Sequence, residues 1–150
     1  MGTNPLLANA LDLDRWADPL ESRGTFPELM RRLLEQTPGV TNIDIRAHEG
    51  TAAHGWDGTA SSDGSPFLPK GELRFEFGTD KRTKAKADKD YNNRAKSVVG
   101  KSEEIFVFAT PRIWRGTATW VEERRQKGVF ASVEAFDAER LEGWLQSTPA

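Results

Sequence analysis

No cysteine occurs in the 150-residue chain, which excludes a disulfide framework and any thiolate metal site. Histidine is nearly as scarce. His48 and His54 are the only two, and without a third they make no convincing zinc site. An excess of positive charge is also missing: 21 Lys and Arg against 23 Asp and Glu leave a net charge of −2. Nucleic-acid binding would therefore have to come from a local basic patch, since the chain lacks the global basic signature. No apolar run approaches the roughly 20 residues that a membrane helix needs. The first residues lack a basic region followed by a long apolar stretch, so neither a membrane span nor a signal peptide is expected, and the cytoplasm is the natural compartment. There is no phosphate-cradling Gly-rich loop, no nucleophilic Ser or Cys arrangement, no internal repeat and no low-complexity tract.

What is there suits one globular domain with a modest core: 37% hydrophobic and 29% charged residues. The first 24 residues are loosely patterned and read as an N-terminal extension; residues 25–150 read as the domain proper. Thr25 and Glu28 have the spacing of a capping box, with Pro27 in the first turn, and Leu29, Met30, Leu33 and Leu34 follow at helical spacing until Pro38-Gly39. Alternation of Ile43 and Ile45 with polar neighbours predicts a strand from Val40 to Arg46, and a short second strand is expected near Trp56–Ser61. The best-patterned strand follows Pro69-Lys70-Gly71: Leu73, Phe75 and Phe77 share one face, while Glu72, Arg74 and Glu76 share the other. A helix is expected from Thr83 to Val98, with a charged stripe of Lys86, Asp90 and Arg94 beside its apolar one. Ile105–Ala109 lacks alternation, as a strand covered on both faces would. A helix over Thr117–Gln126, a strand over Val129–Ala135 and a helix capped by Asp137 complete the order. Early strands are close enough for antiparallel pairing, whereas later ones alternate with helices and imply parallel crossovers. The expected class is α/β, a mixed central sheet with helices on both sides. The polar, Pro-containing end from Gln146 to Ala150 is linker-like, as in a piece of a longer protein.

Several residues carry potential chemistry. Asp57 sits in a turn-rich stretch and Glu76 near the end of its strand. On adjacent strands, two such carboxylates could converge at a sheet edge and hold a hard cation such as Mg²⁺ or Mn²⁺. Each also has a plainer reading, Asp57 as a turn residue before Gly58 and Glu76 as part of a solvated face. The segment Lys81 to Lys101 is rich in Lys and Arg and suits phosphate contacts or, equally, a solvated helix face. Arg112 follows a buried strand at its C-terminal end, where ligands often sit in open α/β sheets. Trp56 and Trp114 could stack on bases or belong to the core.

Taken together, Gly55-Trp56-Asp57-Gly58, Phe75-Glu76-Phe77-Gly78-Thr79, Lys86-Ala87 with Asp90-Tyr91 and Arg94, and Thr110-Pro111-Arg112 resemble one branch of the PD-(D/E)XK nuclease superfamily. The branch is that of the Mrr-like, restriction-endonuclease-like domains at the N-terminus of some bacterial antiphage NTPases. The likeness runs from about Thr25 to the C-terminus. It implies a restriction-endonuclease-like αβββαβ core with an additional αβα. It also implies a metal-dependent endonuclease, with DNA favoured as substrate, serving as a defence effector that could oligomerise through a larger parent protein. By the resemblance, Asp57 and Glu76 ligate the metal with the backbone carbonyl of Phe77. The family's lysine normally lies two residues after the second acid, where this chain has Gly78. The resemblance then assigns the role to Lys86 on the following helix, with Lys84 as runner-up. Lys84, Arg94 and Arg112 would contact nucleic acid, and Glu28 could add an acid from the first helix. If neither lysine reaches the metal, the implied alternative is a catalytically inactive binding or adaptor domain.

Overall fold

Local signals and tertiary burial together set the elements in the computed structural model, which describes residues 9–17, 22–45 and 55–148, with backbone only for 22–24. Helix α1 (Ala10–Trp16) opens on a capping box: the Asn9 side chain accepts from the Asp12 amide at 2.9 Å, and the Asp12 carboxylate accepts from the Asn9 amide. Helix α2 (Ser22–Glu35) begins three residues before Thr25. The capping box expected at Thr25 and Glu28 therefore does not form; Pro27 lies inside the helix, and Glu28 pairs along it with Arg32 at 3.1 Å and Arg31 at 3.9 Å. A boundary after residue 24 would cut through α2. Within that N-terminal stretch, α1 buries Leu13 in the core, and the Ala10 amide donates to Glu142.

The remaining elements are β1 (Val40–Ile45), β2 (Gly58–Ser62), β3 (Gly71–Phe77), α3 (Thr83–Ala95), β4 (Ile105–Ala109), α4 (Thr117–Gln126), β5 (Ser132–Phe136) and α5 (Ala138–Ser147). The five strands form one sheet in chain order, β1-β2-β3-β4-β5. The first three are antiparallel and the last three parallel, the mixed α/β architecture expected from the element order. At the β1 edge the pairing shifts between Thr41 and Asp44, where Asn42 takes the left-handed conformation at φ 54°.

Both crossovers step in the same direction across the sheet. Right-handed connection then requires α3 and α4 to cover one face, leaving α1, α2 and α5 for the other. The two cores follow. Leu73, Phe75, Phe77, Val107 and Phe136 pack with Phe26, Leu33, Leu141 and Trp144, while Phe106, Phe108, Val133 and Ala135 pack with Tyr91 and Trp120. Fully burying each such side chain gains about 1.5–3 kcal/mol. The interior strand β4 is buried at all five positions, which accounts for its unbroken apolar run. Among the described residues, no helix is long and apolar enough to cross a membrane.

Candidate functional site

Antiparallel pairing of β2 with β3 brings the start of one strand to the end of the other. Gly58 pairs with Phe75, so Asp57, one residue earlier, lies beside the C-terminal end of β3. The Asp57 amide donates to the Phe75 carbonyl at 3.1 Å, and its carboxylate accepts from the Phe77 amide at 2.9 Å. On its other side Gly58 permits the close approach of β1, because a Cβ there would stand 2.7 Å from Ile45 Cγ1.

Glu76 occupies the opposite face of β3 from Phe75 and Phe77, as the alternation predicts. Its face is not solvated at this end, since α3 covers it and leaves Glu76 only 5% exposed. The Asp57 and Glu76 carboxyls are within hydrogen-bonding reach of each other. Burial, and then the Asp57 carboxyl beside it, push the Glu76 pKa from an ordinary 4.5 to about 8, against the opposing pull of Arg94. At neutral pH Glu76 thus keeps its proton.

Helix α3 aims its charged stripe at this pair. Arg94 bonds the Glu76 carboxylate through Nε and the Gly55 carbonyl through Nη2, and its guanidinium lies 4.5 Å from the Trp56 ring centroid. One turn nearer the start of α3, Asp90 is buried and accepts from Lys86 Nζ at 3.0 Å through Oδ1. Its Oδ2 is buried with no hydrogen-bond partner. Burial raises the Asp90 pKa; Lys86 opposes the shift and Asp57 adds to it. Lys86, Asp90 and Arg94 had a plain reading as a solvated ladder. The spacing was legible, but the direction in which the stripe faces depends on how α3 docks.

The departure at position 78 has a structural counterpart. A Cβ on Gly78 would meet Lys86 Cγ at 2.7 Å and the Phe108 ring at 3.0 Å. The Lys86 stem therefore fills the space that a side chain at 78 would occupy, and its amine pairs with Asp90. A cleft of about 240 Å³ opens here, lined by Phe26 and Pro27 of α2, residues 77–80 and Lys86. A second groove of about 400 Å³ shares Asp80 and Lys86 with it and adds Lys81, Arg82 and Lys89. Lys86 lines both, and Phe77 at the first is the residue next to Glu76.

Other expected residues lie elsewhere. Lys84 points along α3 to Asp88 at 2.8 Å, on the side where Asp88 also receives Trp120 Nε1 and Arg124. Arg112 is 7% exposed, and its guanidinium donates to the carbonyls of Asp14, Ala17 and Thr79. It is a buried clamp between α1 and the loop after β3, which leaves its head unsuited to phosphate. Glu28 is held along α2 by its arginines, and Trp114 belongs to the second core. His48 and His54 lie outside the described residues.

Among the described residues, no cluster of three or more His, Asp or Glu has the geometry to hold a metal ion. Two carboxylates are nevertheless what a Mg²⁺ site commonly takes from a protein, with waters and substrate phosphate filling the octahedron. The Asp57–Glu76 pair, with an unpartnered buried Asp90 oxygen on α3, fits that donor chemistry. Set against known proteins, the chain matches no family model, no curated sequence and no solved structure.

Proposed function

We propose that this chain is a Mg²⁺- or Mn²⁺-dependent nuclease domain that hydrolyses nucleic-acid phosphodiesters, DNA before RNA. One observation carries the reading: two carboxyls, one of them almost fully buried, meet at the C-terminal end of β3 beneath the charged stripe of α3, whose Lys86 pairs with Asp90 and lines a basic groove. Ionising Glu76 in this buried position beside Asp57 is costly unless a cation offsets it, so the pair makes physical sense as a cation seat. Asp57, Glu76 and the Phe77 carbonyl would hold the ion. A bound Mg²⁺ would supply a Lewis acid for the phosphoryl oxygen and a water of lowered pKa. Lys86, held by Asp90, would stabilise the negative charge that develops on the phosphate. Lys81, Arg82 and Lys89 would bind flanking phosphates and set the position of the strand. The superfamily resemblance adds the setting, an effector module of a bacterial defence protein acting in the cytoplasm.

The test is incubation of the purified chain with supercoiled plasmid, with Mg²⁺ or with EDTA, alongside Asp57→Ala, Glu76→Ala and Lys86→Ala. Nicking that needs Mg²⁺ and is lost in each variant is the expected result. Nicking that survives all three would remove the assignment.

A further inference from the structure

The three acids Asp57, Glu76 and Asp90 do not share their cations evenly. Lys86 is engaged by Asp90, and Asp57 is satisfied by the Phe77 amide and its neighbour Glu76. The charge opposite Glu76 comes from Arg94. This arginine does more than pair. It bonds the Gly55 carbonyl, stacks on Trp56, and leaves an ideal Cβ at Gly55 only 3.4 Å from its Nη1. The stretch Gly55-Trp56-Asp57 is thus wrapped around the guanidinium, and it also carries the first acid. A divalent ion held by Glu76 would have to share one carboxylate with a guanidinium at contact distance, where two positive charges repel strongly.

We infer that Arg94 is a built-in competitor of the metal: its guanidinium holds the Glu76 carboxyl and the Trp56 loop until a divalent cation displaces it. The inference rests on the proposed metal seat. It adds that metal loading is coupled to movement of Arg94 off Trp56, so the acid pair is kept latched in the absence of the ion. Differential affinity for the latched and unlatched arrangements is what lets the ion drive the change.

The experiment titrates the chain with Mg²⁺ alone, following heat by calorimetry and tryptophan emission in parallel, without nucleic acid. Wild type is expected to bind with an emission change that Trp56→Phe abolishes. Arg94→Gln is expected to bind Mg²⁺ about tenfold tighter, within the usual range of coupling between sites, and to lose the emission change. Arg94→Lys, which keeps the charge but cannot fork to Glu76 and Gly55, is expected to bind tighter than wild type by a smaller factor. It carries the test if the glutamine variant does not fold. Equal or weaker binding in both Arg94 variants, with Asp57→Asn abolishing binding throughout, would overturn the latch and leave the metal seat standing. Absence of Mg²⁺ binding in wild type and both Arg94 variants would remove the seat and the latch together.

Discussion

Replacing Glu76 by Gln separates the cost of burying a charge from every other feature of the site. Glutamine has the shape of the protonated acid and cannot ionise. In the native fold burial, with Asp57 second, lifts the Glu76 pKa from 4.5 to about 8. A carboxyl whose pKa is raised on folding contributes stability that is complete below the unfolded value and lost as pH climbs through the folded one. Each tenfold change in proton affinity is worth about 1.4 kcal/mol, so the interval caps the loss at roughly 5 kcal/mol. Wild type and Glu76→Gln should therefore be about equally stable at pH 4.5. The glutamine variant should pull ahead through the neutral range and keep a constant lead of several kcal/mol above pH 8. The assay is urea unfolding at constant ionic strength in EDTA, from pH 4.5 to 9. Titrating groups remote from the site are common to both proteins and cancel in the difference. Parallel pH profiles, or a wild type that gains on the variant as pH rises, would refute the reasoning, because Arg94 would then be strong enough to keep Glu76 ionised in the fold. Adding Mg²⁺ at pH 8.5 should recover stability in wild type only, by mass action on the native state.

Three further outcomes are expected. Gly78→Ala places a methyl 2.7 Å from Lys86 Cγ and should cost about 1–3 kcal/mol; much of that should return in Gly78→Ala/Lys86→Ala, a coupling that a double-mutant cycle of unfolding free energies would read directly. Arg112→Ala removes donors to three backbone carbonyls and should cost about 3 kcal/mol in thermal or urea unfolding, without changing the salt dependence of DNA binding. Alanine at Lys81, Arg82 or Lys89 should weaken DNA binding uniformly across sequences and lower the slope of log K against log salt by about 1 per contact, measured by fluorescence anisotropy at several salt concentrations.

Much of this fold is legible in the chain because local and tertiary signals agree. The alternation of Leu73, Phe75 and Phe77 defines β3, the apolar run of β4 marks a strand buried on both sides, and Asp137 caps α5 by accepting from the Arg140 amide at 3.1 Å. Boundaries suffered where two signals competed. Thr25 and Glu28 match a capping box, yet packing of Phe26 and Leu29 carries α2 back to Ser22. Val129 has strand propensity, but β5 starts only at Ser132, where it can pair with Ile105. The helix expected to reach Val98 ends at Ala95, and β2 starts at Gly58 instead of near Trp56. At the site, adjacency of Asp57 and Glu76 follows from strand period and antiparallel pairing, both readable in the chain. The inward turn of Asp90 and Arg94, the burial of Arg112 and the seating of Lys86 over Gly78 depend on how helices dock, which spacing alone does not encode.

The chain-ordered sheet has a consequence for assembly. Every strand lies against its predecessor, so the layers can be added one after another as the polypeptide grows, without threading a late segment between earlier ones. Asp57 and Glu76 meet in the second pairing, a short-range closure, whereas Lys86, Asp90 and Arg94 arrive only when α3 folds back. A nascent chain would therefore carry its two acids together in open water first, where proximity costs little. The electrostatic tension of the finished site would be imposed last, by the helix that seals it.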